Sequence, residues 1–425
     1  MFSSPHSRYR KQLQALRSDV PLVEAVRRSL QPESILGQQL VWTRMYERFS
    51  PGEAPYASLV LAATSHTSRR VFQVEVFGER PVDDTNQSWV ARDEQLGWVR
   101  ILRFPSDGVL DTLTAVLAEH ATASVVQYWP GHRCTLRIQA DGRTYFVKTY
   151  PKKYLRQKRG QHLYDVALAL WHASCRGELP FQVARPVRWD DETRTLWLEQ
   201  LPGLPWDAQG TANKTLQEIH QIGRCAAALA GSAINPFRVF DGKEQLVDSI
   251  AYGAELGRRI PRIAPVIHEL IEGLQAVHRQ FEGRRLRPVH GDMHPGQWLQ
   301  AQPQSQLGLL DFDDFSLGDL ERDAGFFLVQ MQSEYAPSAQ PVVAAECFVA
   351  GYESIAGPLG GKLLHAYMAH KWLSKALKAA RALRPHGDLL AKSCLQNARA
   401  VLAGDMGFRK GAQQSSAFAA LAATS

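Results

Sequence analysis

No stretch of this 425-residue chain approaches the roughly eighteen consecutive apolar residues that a membrane span requires. A membrane-embedded protein is therefore not expected. Cysteine is sparse as well: Cys134, Cys175, Cys225, Cys347 and Cys394 are dispersed, odd in number and without metal-ligand spacing. They read as reduced, mostly buried thiols. Met1 to Lys11 has no apolar run behind it, so no secretory signal is expected and the location reads as cytoplasmic. The chain has no internal repeat. It also lacks basic runs that alternate with aromatics, which argues against nucleic acid although Lys and Arg (49) exceed Asp and Glu (42). The densest basic cluster, Lys152 to Arg159, reads as a solvated loop and helix start. The length predicts two or three domains, and 45% hydrophobic content suffices for full cores.

What is present points to phosphoryl transfer. His290-Gly291-Asp292-Met293-His294-Pro295-Gly296-Gln297 is followed, fourteen positions after Gln297, by Asp311 within Leu309-Leu310-Asp311-Phe312-Asp313. Kinase chemistry needs an Asp to orient the attacking hydroxyl and a metal-binding side-chain oxygen five residues on. It then needs a second metal-binding Asp after a short strand. Asp292, Gln297 and Asp311 stand at that spacing. A lone Asp is usually a turn former, but the two motifs in this order, each beside an apolar run, carry the reading together.

A kinase also needs a nucleotide lobe upstream. Ala123 to Tyr150 reads as antiparallel strands, with a turn at Trp129-Pro130-Gly131-His132 and a hairpin at Asp141-Gly142. Lys148 sits inside the β-rich run Thr144 to Tyr150, where a kinase places the Lys that neutralises the α- and β-phosphates. Val183 to Trp189 and Thr195 to Gln200 are β-like on either side of a charged turn. The chain then breaks at Leu201-Pro202-Gly203. In a kinase-like lobe this is the hinge, where main-chain groups near Glu199 and Leu201 meet the adenine edge.

These segments resemble the aminoglycoside phosphotransferase family of protein-kinase-like enzymes. The resemblance rests on Tyr128 to Arg137, Phe146-Val147-Lys148, Leu198 to Gly203, His290 to His294 and Leu310 to Asp313, with Gly318-Asp319 and Asp323 beyond. It covers about residues 105–405, and only the last two motifs are specific. The family phosphorylates hydroxyls of small molecules with a nucleoside triphosphate and magnesium. The resemblance therefore implies a bilobal α+β fold, with an antiparallel nucleotide lobe and a mostly helical second lobe. It implies Asp292 as catalytic base, Asp311 as the metal ligand bridging the phosphates and Lys148 as phosphate clamp. Gly131 would lie over the phosphates, and His290 would prop the catalytic loop. Asp313 could bind a second metal or close the loop.

The chain departs from the family in three ways. Gln297 replaces the metal-binding Asn; it keeps the amide oxygen but adds a methylene, so coordination must adjust by about an ångström. The phosphate turn holds only Gly131. The helix after Lys148 offers Gln161 or Asp165 in place of a pairing Glu. A pseudokinase that binds ATP or GTP without turnover thus remains an alternative to a small-molecule kinase. A protein kinase is disfavoured, because no Ala-Pro-Glu or activation segment follows Asp311.

Residues 1–104 form an α+β region with no motif, read as a cap on the nucleotide lobe. A helical pattern runs from Leu13 to Leu30, and β-like runs follow at Leu40–Phe49, Ser58–Thr64 and Val71–Phe77. Residues 105–203 are the expected nucleotide lobe, opening with a helix over Val109–Glu119 that Ser106 or Asp107 could cap. Residues 204–410 are the expected helical lobe, and 411–425 a frayed tail. From Gln332 onward the acids Glu334, Glu346, Glu353, Asp388 and Asp405 face twice as many bases: Lys362, Lys371, Lys375, Lys378, Arg381, Arg384, Lys392, Arg399, Arg409 and Lys410. In this family such helices wall the acceptor site, and a polycationic aminoglycoside calls for an acidic wall. A neutral or anionic acceptor, most plausibly a sugar or sugar-like hydroxyl, is expected over an aminoglycoside, unless these bases merely face water. His365 and His370, five apart, read as packing or solvent residues. Nothing in the pattern sets the oligomeric state.

Overall fold

The computed structural model describes residues 10–30, 40–50, 53–65, 69–82, 88–206, 216–302, 305–334, 341–383 and 386–405. The expected tail lies outside these residues, as do Arg384, Arg409 and Lys410. The chain divides into two compact units. The first comprises Met1–Gln161, Val187–Glu199 and Lys378–Leu390; the second comprises His162–Pro186, Gln200–Leu377 and Ala391–Ser425.

The first unit opens with helices α1 (Arg10–Leu16) and α2 (Asp19–Ser29). The single helical pattern expected from Leu13 to Leu30 is split at Ser18, whose side chain caps α2 by accepting from Val20 N. Five antiparallel strands follow: β1 (Val41–Phe49), β2 (Ala57–Thr64), β3 (Arg69–Phe77), β4 (Ser88–Asp93) and β5 (Gly97–Arg103), in the order β1-β2-β3-β5-β4. The last two were not expected. Arginines interrupt their apolar alternation, and their turn is closed by the Asp93 carboxylate, which accepts from Gln95 N and Leu96 N at 2.8 Å each.

Strand β2 shows why its sequence is almost continuously apolar. Successive side chains alternate between faces. Leu59, Leu61 and Ala63 pack with Leu16, Leu22 and Leu383, whereas Val60 and Ala62 pack with Leu136, Val147 and Trp197. Both faces of the strand are thus buried. The second face belongs to a core shared with another antiparallel sheet: β6 (Ser124–Trp129), β7 (Arg133–Ala140), β8 (Arg143–Thr149), β10 (Pro186–Asp190) and β11 (Thr195–Glu199), ordered β10-β11-β8-β7-β6.

A polar chain crosses this core. Arg100 binds Glu75 Oε2 at 2.7 Å, and Gln73 Nε2 donates to Glu75 Oε1 at 2.8 Å. The Tyr128 hydroxyl lies 3.0 Å from Gln73 Oε1 and 2.8 Å from Asp107 Oδ2. Asp107 Oδ2 also accepts from Gly131 N at 2.8 Å. Burial, then the Asp107 charge, raise the Tyr128 pKa and keep its hydroxyl a donor. Asp107 therefore does not cap a helix over Val109–Glu119. Its Oδ1 closes a turn on Val109 N and Leu110 N, and helix α3 spans only Leu113–Glu119.

The second unit is mainly helical. It holds most of α4 (Arg159–Cys175), α5 (Leu216–Ala230), α6 (Gly242–Arg259), α7 (Ala264–Gln280), α8 (Glu321–Glu334), α9 (Pro341–Ala356), and parts of α10 (Gly361–Arg381) and α11 (Gly387–Leu402). Helices α5 and α9 cross at backbone contact. A Cβ at Gly223 would meet Phe348 O at 2.2 Å, and one at Gly351 would meet His220 O at 2.1 Å. Short strands carry the loops of interest: β9 (Gln182–Val183), β12 (Leu204–Pro205), β14 (Trp298–Gln300) and β15 (Gly308–Leu309) form one sheet. Strand β13 (Arg287–Val289) pairs with β16 (Ser316–Gly318) in a separate ribbon. Among the described residues no helix is long and apolar enough to cross a membrane. Cys134, Cys225 and Cys394 are buried, Cys347 is half-buried and Cys175 is exposed.

Replacing Asp107 by Ala removes the acceptor that serves three backbone amides and one hydroxyl. Denaturant unfolding of Asp107→Ala should show a loss of about 1–3 kcal/mol, with Tyr128→Phe at the lower end. An unchanged midpoint in Asp107→Ala would show that the polar chain does not hold the turn at Gly131.

Candidate active site

The loop that follows β13 is built on a buried carboxylate. Strands β13 and β16 pair antiparallel, Val289 opposite Ser316 and Arg287 opposite Gly318. This sets the start of α8 beneath the loop. Asp323, in the first turn of α8 and 1% exposed, accepts from His290 N at 2.6 Å and from Gly291 N at 2.9 Å. Burial pushes the Asp323 carboxyl up, while the His290 ring and the two amides draw it back. Gly291 has φ +90°, and a Cβ there would meet Asp314 O at 2.3 Å. No larger residue fits this turn without moving the backbone.

His290 is fully buried and its Nε2 lies 2.8 Å from Leu310 O. The carbonyl can only accept, so Nε2 carries the proton. Nδ1 is left buried without a hydrogen-bond partner. The ring therefore ties the loop carrying Asp292 to the strand end carrying Asp311.

A second tie runs through the hairpin of β14 and β15, where Trp298 faces Leu309 and Leu299 faces Gly308. One step further along, Leu310 N donates to Gln297 O at 3.0 Å. The register thus brings the backbones of Gln297 and Leu310 together, with Asp311 next in the chain. Gln297 is 6% exposed, and its Oε1 is buried without a partner. Asp311 has φ +63° and ψ +63°, left-handed backbone that an L-residue rarely adopts outside tight turns. Asp313 and Asp314 follow in a single 3₁₀ turn, and Arg238 binds Asp314 at 2.9 Å.

Asp292 makes a contact that the sequence did not reveal. Lys371 Nζ, from α10, lies 2.8 Å from Asp292 Oδ1. The Lys371 side chain is 15% exposed and its ammonium sits 4.7 Å from the centroid of the Phe326 ring, whereas Asp292 keeps 44% of its side-chain surface. Burial alone would push the Asp292 carboxyl up. The Lys371 ammonium outweighs it by charge and hydrogen bond, with smaller help from His294 and His290, and holds the carboxyl below its usual value. The two partners lie 79 residues apart in the chain, so no local pattern could pair them.

The remaining candidates lie mostly in the first unit. Lys148 is 8% exposed on β8, which runs between β7 and β11, with Thr135 and Leu196 as its cross-strand neighbours. Gly131 has φ +70° in a turn closed by His132 N on Trp129 O at 2.9 Å. A hollow of about 350 Å³ beside it is lined by Gly108, Val109, Gly131, Pro151, Lys152 and Lys153. Glu199 ends β11 and pairs with Arg143 at 2.6 Å. Leu201 belongs to the second unit, where its side chain occupies the space a Cβ at Gly308 would need.

The donor set suits a hard divalent cation. A buried amide oxygen without a donor costs about 1–3 kcal/mol unless something satisfies it. Oxygen ligands at Gln297, Asp311 and Asp313 are of the type magnesium prefers. Among the described residues no three His, Cys, Asp or Glu side chains converge on one point.

The sequence profile of the phosphotransferase enzyme family matches residues 132–362, more than half of the chain. No curated protein matches the chain. Among solved structures it is similar to the microcompartment-associated aminopropanol kinase, at 17% identity and a TM-score of 0.50, over 70% of this chain and 99% of that one. It is also similar to choline kinase LicA from Streptococcus pneumoniae, at 14% identity and 0.49, over 69% and 98%. An aminoglycoside phosphotransferase from Streptomyces rimosus, solved with ADP and streptomycin, aligns at 15% identity and 0.47, over 62% and 97%. The aminopropanol kinase likeness carries the fold: an α+β, bilobal, protein-kinase-like architecture.

A lowered carboxylate pKa contributes stability above the unfolded-state value, and this is lost as pH falls through the folded value. Lys371→Gln removes the main lowering influence on Asp292, so it should be less stable than wild type near neutral pH, with the difference shrinking as pH falls through the folded Asp292 value and Lys371→Arg restoring the neutral-pH stability. Urea unfolding across pH 3–7 checks this; coincident profiles for wild type and Lys371→Gln would contradict the pairing.

Proposed function

The chain belongs to the phosphotransferase enzyme family, and from that premise we propose that it transfers the γ-phosphoryl group of ATP or GTP to a hydroxyl of a small molecule, most plausibly a sugar or sugar-like acceptor. The observation that carries this reading is the loop clamped by Asp323. That loop presents Asp292, and the β14–β15 register joins the backbone of Gln297, whose side-chain amide oxygen is buried without a partner, to Leu310 beside Asp311.

Asp292 is the base in this reading. It accepts the proton of the acceptor hydroxyl as that oxygen bonds to the γ-phosphorus and the bond from the phosphorus to the bridging oxygen breaks, leaving the nucleoside diphosphate. Its lowered pKa keeps it ionised, and so able to accept. Asp311 and Gln297, with Asp313, would hold magnesium, which supplies neutralisation of the phosphate charge. Lys148 contacts the α- and β-phosphates, backbone at Gly131 covers them, and main chain near Glu199 and Leu201 meets the base. Residues 1–104 act as a cap that reaches the turn at Gly131 through Gln73, Tyr128 and Asp107. Positioning and charge neutralisation supply most of the rate.

Asp292→Asn should retain nucleotide binding and lose about 10²–10⁴ of turnover. Asp311→Ala should lose the magnesium-dependent part of nucleotide affinity. ADP release and calorimetric titration of nucleotide with and without magnesium measure the two. Full turnover in Asp292→Asn sinks the base assignment.

A further inference from the structure

We propose that Lys371 is a specificity-determining residue, and that it directs the site to acceptors bearing an anionic group, a carboxylate or phosphate monoester, close to the hydroxyl that is phosphorylated. The inference rests on the reading of Asp292 as base.

A hydroxyl positioned for proton transfer lies about 2.6–3.2 Å from its base. Lys371 Nζ lies 2.8 Å from Asp292 Oδ1. The reacting hydroxyl must therefore sit within about 6 Å of the ammonium if it bonds Oδ1 and within about 8 Å if it bonds Oδ2, and substituents on the neighbouring carbons come within reach of that charge. An ammonium has three donors. One goes to Asp292, which leaves donor capacity for an oxyanion of the acceptor.

The charge is held in place. His370, the residue before Lys371, is fully buried, with Nδ1 2.6 Å from Ser249 Oγ on α6 and Nε2 2.8 Å from His278 Nε2 on α7. Tyr367, one turn earlier, donates to Asp319 Oδ2 at 2.6 Å. This turn of α10 is thereby pinned at three points, and the ammonium itself is held by Asp292 and the Phe326 ring, so moving it aside for a cationic acceptor breaks those contacts. Phe326, under the Lys371 ammonium, also lies 5.6 Å from the guanidinium carbon of buried Arg322. Two cations thus share one ring beside the base. Of the acids near these cations, Asp323 faces Arg322 and accepts from His290 N and Gly291 N, Asp248 faces Arg238 and Arg322, Asp314 pairs with Arg238, and Asp311 and Asp313 are the proposed metal ligands.

The test uses four six-carbon probes that differ in charge: gluconate, glucose 6-phosphate, glucose and glucosamine. Magnesium-dependent ADP formation is measured for wild type, Lys371→Arg, Lys371→Gln and Lys371→Glu, alongside calorimetric binding of each probe in the presence of a non-hydrolysable ATP analogue. Binding still reports if Lys371→Glu loses turnover, and Lys371→Gln still reports if Lys371→Glu fails to fold. Wild type should favour at least one anionic probe over glucose by about tenfold, and disfavour glucosamine. Gluconate against glucose 6-phosphate distinguishes the two anions. Lys371→Arg should keep the order, Lys371→Gln should flatten it and Lys371→Glu should reverse it. Preference of the wild type for glucosamine, or an order unchanged in Lys371→Gln and Lys371→Glu, overturns the inference and leaves the phosphotransferase reading standing. Absence of both binding and ADP formation with every probe, with Asp292→Asn indistinguishable from wild type, overturns both.

Discussion

The geometry of the candidate site depends on two backbone amides closing on the Asp323 carboxylate. A buried carboxylate is costly unless its oxygens are bonded, and here each oxygen takes one N–H, from His290 and Gly291. That arrangement fixes the direction in which the chain leaves β13 and therefore where Asp292 emerges. The β13–β16 ladder supplies the distance, since it sets the start of α8 against the loop. Gly291 completes the constraint, because only a residue without Cβ lets the chain pass the Asp314 carbonyl. Once these are set, the His290 ring reaches Leu310 O and couples the Asp292 loop to the Asp311 turn.

Charge near Asp292 is decided by the same framework. The tally of bases along the C-terminal helices reads very differently in three dimensions. Arg399 pairs with Glu269, and Arg381 belongs to the first unit. Lys371 reaches Asp292, and it does so from a helix turn held by buried His370. A general excess of positive charge is thus replaced, at the site, by a cation with a fixed position. The buried histidine expected to be a packing or solvent residue is a packing residue with a defined hydrogen-bonding task.

The first unit holds its turn at Gly131 in a parallel way. The polar chain from Arg100 through Glu75, Gln73, Tyr128 and Asp107 holds Gly131 N. Strand β2 links the two sheets of this unit into one core, which explains a region that carries no motif of its own.

The sequence by itself determined the family, most of the strands and helices, and the motifs that carry Asp292, Gln297 and Asp311. Each of these is written in local patterns: apolar alternation, turn residues, and short motifs with fixed spacing. Helix ends and the β4–β5 hairpin were less legible, because Asp93 and Asp107 spend their carboxylates on turns that composition does not distinguish from caps. Only the tertiary structure decided which charges meet. Asp323 under His290, Asp107 under Gly131 and Lys371 on Asp292 are contacts across 33, 24 and 79 residues. A Coulomb interaction or hydrogen bond depends on distance in space, and separation in sequence carries no record of it.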